Sequence, residues 1–232
     1  MQNTDQLEFV SGLYRKYGSD LAAVIEQQRE FHAANRARMT PQLDDIEAEV
    51  TYLRLRELRP DKVMELGTFH GWSTTWLLSA LRDNGSGHLY SYDRIDNVIA
   101  NVPADLAGQR WTFTRGDVQA SLDEIPRDLG YLFVDADHGR RFGQWYLAHL
   151  FPIVPSGTTV SVHDVFHGRK ARAWSEGAEV VSWLEARDVP LFTAARKRTP
   201  EVFEALNAVR AELGIEGARG TTKNPMIWFT LP

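Results

Sequence analysis

Two short runs hold the side chains best suited to chemistry, Asp135-Ala136-Asp137-His138 and His163-Asp164. Each follows an apolar stretch that reads as a buried strand, Tyr131–Val134 before the first and Thr158–Val162 before the second. Neighbouring strands lie about 4.8 Å apart, and ligands of an open α/β sheet collect beyond the carboxyl ends of its parallel strands. The two runs are therefore expected to meet at one site. A histidine there can accept a proton at neutral pH, with His138 the first candidate for a base and His163 the second. Asp135 would orient a histidine or a substrate group. The plainer alternative for either histidine is a turn cap or a hydrogen bond to the backbone. Asp135 and Asp164 also form a candidate metal pair, since a divalent cation activates a hydroxyl by lowering its pKa. Magnesium prefers an octahedron of oxygens, and His163 tilts the preference towards a transition metal.

A second cluster of signals lies upstream, in Val63-Met64-Glu65-Leu66-Gly67-Thr68-Phe69-His70-Gly71-Trp72-Ser73-Thr74, which reads strand, glycine turn, helix. Gly67 permits a conformation that a side chain would obstruct and lets the backbone approach a ligand. Ser73 or Thr74 can help start the helix, whose N-terminal end favours an anionic group. A dinucleotide site expects G-x-G-x-x-G. Here the spacing is G-x-x-x-G, running through Thr68 to Gly71, with Glu65 two residues before the first glycine. An acid so placed suits an ammonium group or a water beside it, and S-adenosylmethionine carries an ammonium and no pyrophosphate. Asp93, closing Tyr90-Ser91-Tyr92-Asp93, suits two ribose hydroxyls, because a carboxylate only accepts. Asp117, in Arg115-Gly116-Asp117-Val118, is placed to meet an adenine amine. The competing reading makes Gly67 a turn residue, Asp93 a helix cap and Asp117 an Asx turn.

The elements that must position these groups can be read from apolar periodicity. Asp5 to about Ala37 reads as one helix, broken at Thr40-Pro41, and Leu43 to Leu58 as a second, stopped by Pro60. Short apolar runs then alternate with helical segments, the pattern of a parallel sheet covered by helices. Candidate strands are Val63–Leu66, His88–Tyr92, Trp111–Thr114, Tyr131–Val134, Thr158–Val162, Leu191–Thr193 and Met226–Leu231. Candidate helices are Ser73–Arg82, Gln119–Ile125, Phe142–Phe151, Ala178–Glu185 and Glu201–Leu213. The expected fold is α/β, a doubly wound, seven-stranded, mostly parallel sheet. The expected organisation is an N-terminal helical extension over 1–59 and a cofactor-binding α/β domain over 60–232.

The run V-M-E-L-G-T-F-H-G-W-S-T-T, then S-Y-D, F-V-D-A-D-H and P-S-G-T-T-V-S-V-H-D-V-F, resembles class I S-adenosylmethionine-dependent methyltransferases. It is most similar to a branch of small bacterial enzymes with D-x-D-H and H-D signatures. The likeness spans roughly Leu55 to Phe166, with a weaker echo in Asn224–Phe229. The resemblance implies a Rossmann-like sheet with an antiparallel last strand. It also implies a cofactor held by Glu65, Gly67, Asp93, Asp117 and Val118, with Thr68, Gly71, Ser73 and Asp135 in the same binding segments. In metal-dependent catechol-type and caffeoyl-type enzymes, an acid after the fourth strand joins an Asp-Asn pair after the fifth. This chain has Asp135 in the first place and His163-Asp164 in the second, which departs from that pattern.

The implied activity is methyl transfer to a hydroxyl of a small-molecule acceptor, in specialised metabolism. Alternatives are a cyclase or other non-methylating use of S-adenosylmethionine, a nicotinamide oxidoreductase, and a silent binding module. A net charge of −5 lacks the basic footprint of a nucleic-acid partner. The absence of cysteine excludes disulfides and thiolate metal sites. No apolar run approaches the roughly 18 residues of a membrane helix, and Met1 to Glu8 lack the pattern of a signal peptide. The expectation is thus a cytoplasmic enzyme without a membrane or nucleic-acid partner. The amphipathic N-terminal helices are free to pack on the core or in a homo-oligomer. His167-Gly168-Arg169-Lys170-Ala171-Arg172-Ala173-Trp174 is a candidate loop for an anionic substrate, or else a solvated basic turn. Trp72, Trp145 and Trp183 read as packing residues, and Arg196-Lys197-Arg198 as surface.

Overall fold

Side chains that point alternately to the two faces of one sheet bury it between two layers of helices. The computed structural model describes residues 3–232, so residues 1 and 2 of the expected extension lie outside the described residues. The order of elements is α1 (Asn3–Asn35), α2 (Asp45–Leu58), β1 (Lys62–Leu66), α3 (Trp72–Asn84), β2 (His88–Asp93), α4 (Asn97–Asn101), α5 (Ala104–Ala107) and β3 (Trp111–Arg115). There follow β4 (Tyr131–Val134), α6 (Arg140–Trp145), β5 (Thr159–Val162), α7 (Glu176–Glu185), α8 (Pro200–Glu212) and β6 (Ile227–Thr230). Successive strand residues point to opposite faces. Val63, Leu89, Tyr131, Phe133 and Trp228 meet side chains of α1, α2, α3 and α8 on one face. Met64, Leu66, Leu132, Val134, Val160, Val162 and Phe229 meet those of α6 and α7 on the other. Both β4 and β5 are buried along their whole length; β4 is a continuous apolar run, as strands covered on both faces tend to be, whereas β5 alternates small hydroxyl residues with valines.

The described residues form a six-stranded sheet in the order β3-β2-β1-β4-β5-β6, parallel except where β6 runs antiparallel to β5. The seven-stranded expectation is corrected to six. The candidate strand Leu191–Thr193 makes one isolated bridge, between Phe192 and Trp228. Pro190 lacks a donor for a longer ladder. The Thr193 hydroxyl takes over backbone groups, donating to the Met226 carbonyl at 2.7 Å and accepting from the Ala195 amide at 3.1 Å. The candidate helix Gln119–Ile125 is two separate 3-10 turns, Val118–Ala120 and Leu122–Glu124. Asp117 caps the first and Ser121 interrupts them. The candidate helix Phe142–Phe151 begins earlier as α6 and continues as a π-helical turn over Tyr146–Leu150.

The start of α2 is a polar hub inside the molecule. Glu47 closes a capping box by accepting from the Asp44 amide at 2.8 Å. Its other oxygen accepts from the Met226 amide at 2.7 Å, just before β6. Asp44 accepts from the amides of Lys223 and Asn224, both at 2.8 Å. The N-terminal helices are thereby tied to the β5–β6 end of the sheet, where the second reactive run lies. Among the described residues, no helix is long and apolar enough to cross a membrane.

Candidate active site

The loop after β1 passes so close to the loop after β4 that only glycine fits. Gly67 has φ of 83°, and a Cβ there would collide with the carbonyl oxygen of Asp135 and come within 2.8 Å of the Ala136 Cα. Gly67 also donates to the Tyr92 carbonyl at 2.9 Å, while Asp135 donates to the Leu66 carbonyl at 2.8 Å. The carboxyl ends of β1, β2 and β4 are thus stitched together. Beyond them opens a cavity of about 320 Å³, within the roughly 300–1,000 Å³ usual for small-molecule sites. Gly67, Asp93, Asp117, Val118 and Asp135 line it, as do His138 and Asp164.

Four predicted cofactor residues stand behind that wall instead. Glu65 is wholly buried. Its carboxylate accepts from Ser73 Oγ at 2.6 Å, Thr74 Oγ1 at 3.0 Å and Ser91 Oγ at 2.6 Å. Burial raises its pKa to about 7 against the opposing effect of those hydroxyls. Glu65 therefore ties the first turn of α3 to β2 and does not line the cavity. Ser73 is spent on Glu65. Thr68 donates its amide to Asp93 at 2.7 Å and its hydroxyl at 3.1 Å, and Gly71, with φ of 93°, is the N-cap of α3.

Asp93 and Asp117 line the cavity and also hold their own loops; Asp117 makes the expected Asx turn, whereas Asp93 caps no helix, that place before α4 being held by Asp96. Asp93 Oδ2 also accepts from the Phe69 amide at 2.8 Å, so this carboxylate shapes the glycine loop. Its Oδ1 accepts from the Ile95 amide at 3.1 Å. Asp117 forms the Asx turn with the Gln119 amide at 3.0 Å and takes an ion pair from Arg94 at 2.6 Å. Gln42, Phe69, Arg94 and Ile95 line the same cavity and were missed. They come from loops without a periodic pattern, so no sequence signal marked them.

The two reactive runs do meet, and their histidines differ. His163 is buried and is not part of the cavity wall, in contrast to its expected role as second candidate base. Its Nδ1 lies 3.0 Å from Asp135 Oδ1 and its Nε2 3.2 Å from Glu47 Oε2. Burial opposes its charge, yet Asp135 and Glu47 hold its pKa well above the ordinary value. Each ring nitrogen of His163 thus faces a carboxylate, an arrangement that favours its charged form. Burial also acts against the charge of Asp135, but His163 wins and lowers its pKa. For Glu47 burial wins, and the pKa is raised.

His138 is about half exposed at the cavity wall. Its Nε2 lies 3.5 Å from Asp164 Oδ2 and 3.8 Å from Asp135 Oδ1, and its Nδ1 3.6 Å from Glu176 Oε2. Glu176 first, then Asp135 and Asp164, raise its pKa against partial burial. Glu47 and Glu176 were both missed. Glu47 is marked in sequence only as the third helical position after Asp44, and Glu176 only as an acid in the first turn of α7.

The donor set does not suit magnesium. Asp135 Oδ1 is taken by His163, and Asp164 faces His138 at 3.5 Å and His167 at 3.2 Å. Among the described residues, no group of three or more acids and histidines is arranged to hold a metal ion. The expected Asp135–Asp164 metal pair is therefore not supported. The candidate substrate loop holds Trp174, which is 76% exposed at φ of 64° with the Arg140 guanidinium 4.7 Å from its ring. Trp72 is buried.

Residues 64–165 match the family model of a methyltransferase domain. No curated protein matches the chain. Among solved structures, an O-methyltransferase from Bacillus cereus in complex with SAH aligns with a TM-score of 0.62 at 13% identity, covering 97% of this chain and 100% of that one. The O-methyltransferase TomG from Streptomyces achromogenes, involved in tomaymycin synthesis and in complex with SAM, aligns with a TM-score of 0.58 at 15% identity, covering 90% of each chain. The fold is thus an α/β methyltransferase-like fold with a mixed six-stranded sheet.

Proposed function

We propose that this chain is an S-adenosylmethionine-dependent methyltransferase acting on a hydroxyl of a small molecule, in specialised metabolism. The observation that carries the reading is one cavity at the strand ends, lined on one side by Gly67, Asp93, Asp117 and Val118 and on the other by Asp135, His138 and Asp164. The residues fit the cofactor. Gly67 admits close approach, Asp93 is the acceptor for ribose hydroxyls, and Asp117 with Val118 borders the adenine. The bound sulfonium supplies an electrophilic methyl group. Around it, the protein's main task would be orientation, and His138 would accept the proton of the acceptor hydroxyl. Asp135 and Asp164 favour the imidazolium that results. His163 holds Asp135 in place. Within the expected extension of 1–59, residues 3–59 serve as a helical cover for the cofactor-binding unit of 60–232.

Calorimetry with S-adenosylhomocysteine tests the reading. Binding is expected, and its absence would overturn the proposal. Product analysis separates the reaction types, because methyl transfer leaves S-adenosylhomocysteine and attack on the aminocarboxypropyl chain leaves methylthioadenosine. A screen of hydroxylated metabolites by thermal shift, with S-adenosylhomocysteine present, identifies the acceptor.

A further inference from the structure

Glu176 is a buried acid with an unused oxygen. Its side chain is 2% exposed, and its Oε1 makes no hydrogen bond. Burying a carboxylate without full pairing is costly, so such a group in a native fold calls for an explanation. Its place is tightly determined. The Glu176 amide donates to the His138 carbonyl at 3.0 Å, and Gly139 and Ser175 form an antiparallel bridge beside them. Gly143 of α6 packs so closely that a Cβ there would lie 3.1 Å from the Glu176 Cα. The start of α7 is thereby clamped against the His138 loop. The buried Tyr146 hydroxyl is the other polar group without a hydrogen bond in this corner. Burial first and the Glu176 charge second hold its pKa well above the ordinary value.

Three acids face His138, and they do not compete equally for its protons. Asp135 Oδ1 is already bonded to His163 at 3.0 Å, and Asp164 divides its oxygens, Oδ1 facing His167 at 3.2 Å and Oδ2 the Nε2 of His138 at 3.5 Å, so that only Glu176 addresses Nδ1. Asp164 is also partly exposed, where water screens its charge. Glu176 is screened least; burial raises its pKa to about 7 against the opposing effect of His138 and the neighbouring Tyr146 hydroxyl, so it is a carboxylate above that pH, and its nearest cationic partner is the Nδ1 of His138 at 3.6 Å. That distance is just beyond hydrogen-bond length, and such contacts tighten when a ligand closes the site. A carboxylate on one ring nitrogen settles the tautomer and orientation of the other.

We infer that Glu176 is a positioning residue for His138: its carboxylate accepts a hydrogen bond from Nδ1–H, so that the neutral ring keeps its proton on Nδ1 and presents an unprotonated Nε2 on the side of Asp135 and Asp164. This deepens the methyltransferase reading and rests on His138 being the base. The dyad also explains why a buried acid begins a helix without capping a backbone amide, since the N-cap role belongs to Ser175, which accepts from the Ala178 amide at 3.2 Å.

The test is the nitrogen NMR spectrum of ¹⁵N-histidine-labelled protein, with His138→Gln used to assign the ring signals among the seven histidines. In the wild type above its titration, His138 is expected with its proton on Nδ1. Glu176→Gln is expected to shift the ring to a tautomer mixture or to the Nε2-protonated form, with the fold retained by circular dichroism. Once an acceptor is in hand, the same variant should lose kcat by at least about tenfold, part of the roughly 10²–10⁴ that a positioned base contributes, with KM for the methyl donor unchanged. An Nε2-protonated ring in the wild type, or a spectrum unmoved in Glu176→Gln, would overturn the inference. The wild-type measurement decides the matter even if the variant does not fold. The spectrum reports on the dyad without turnover, so its outcome is distinct from a failure to bind S-adenosylhomocysteine, which would overturn the parent reading.

Discussion

His163 and His138 stand near the same two acids, yet burial gives them different work. His163 lies 3.0 Å from Asp135 and 3.5 Å from Asp164, and His138 lies 3.8 Å and 3.5 Å from them. His163 has Glu47 on its second nitrogen and is sealed from water, so its charge is fully committed between α2 and the end of β4. His138 is half exposed, makes no contact shorter than 3.5 Å with those acids and opens on the cavity. A histidine surrounded by carboxylates is thus a knot when buried and a usable proton acceptor when it keeps an open face.

The hardest blow to that contrast comes from His163→Leu. It leaves Glu47 and Asp135 buried without their cation, a change of about 3–5 kcal/mol, read as a fall in urea midpoint. A loss below about 1 kcal/mol would show that the knot does not hold the fold. The mirror experiment is His138→Gln. Stability should move by about 1 kcal/mol or less, while turnover falls by roughly 10²–10⁴ and S-adenosylhomocysteine still binds by calorimetry. Comparable turnover in variant and wild type would remove His138 as base.

Gly67→Ala sharpens the comparison by displacing Asp135, which both histidines share. The added methyl meets the Asp135 carbonyl at positive φ, so a loss of about 1–3 kcal/mol is expected, together with weaker binding of S-adenosylhomocysteine. Wild-type affinity and melting temperature would contradict the close approach of the two loops.

Titration tests the charge on His163. Its folded pKa is raised, so its stabilisation is complete below about pH 6.5, the ordinary histidine value, and is lost as pH climbs through the raised one. Asp135 is lowered, so its contribution is present above about pH 3.9 and is lost as pH falls through the lowered value. Denaturant melts across pH should show the alkaline decline in the wild type and a flatter limb in His163→Leu. An identical limb in both would mean that another group titrates. The smallest effect is expected from Arg94→Ala, since the exposed pair with Asp117 is worth about 0–1 kcal/mol. A larger shift in melting temperature would mean that the pair is part of the fold.

Much of this architecture was legible in the chain. The runs at 63–66, 88–92, 111–114 and 131–134 are short and bounded by turn residues, so pattern alone separated them into strands. The loop glycine was legible because φ of 83° and the Asp135 carbonyl leave a side chain no room. Less legible were places where side chains compete with the backbone. Thr193 and Pro190 reduce an apolar run to one bridge, and Asp117 and Ser121 split an expected helix into two turns. The acids Glu47 and Glu176 were hidden for another reason. Each lies on a helix far along the chain from the histidine it faces, 116 residues away for Glu47, and no local spacing encodes such a pairing.

The sequence by itself determined six strands, though it also suggested a seventh, that a glycine turn follows the first, and that acids and histidines gather at the ends of β4 and β5. Those are consequences of residue type and near-neighbour spacing. The tertiary structure alone decided which histidine is sealed, that Glu65 braces the α3 turn instead of facing the cavity, and that Glu176 stands behind His138. Burial and hydrogen-bond partners are properties of the packed molecule, and they set the charge and direction that each side chain can offer.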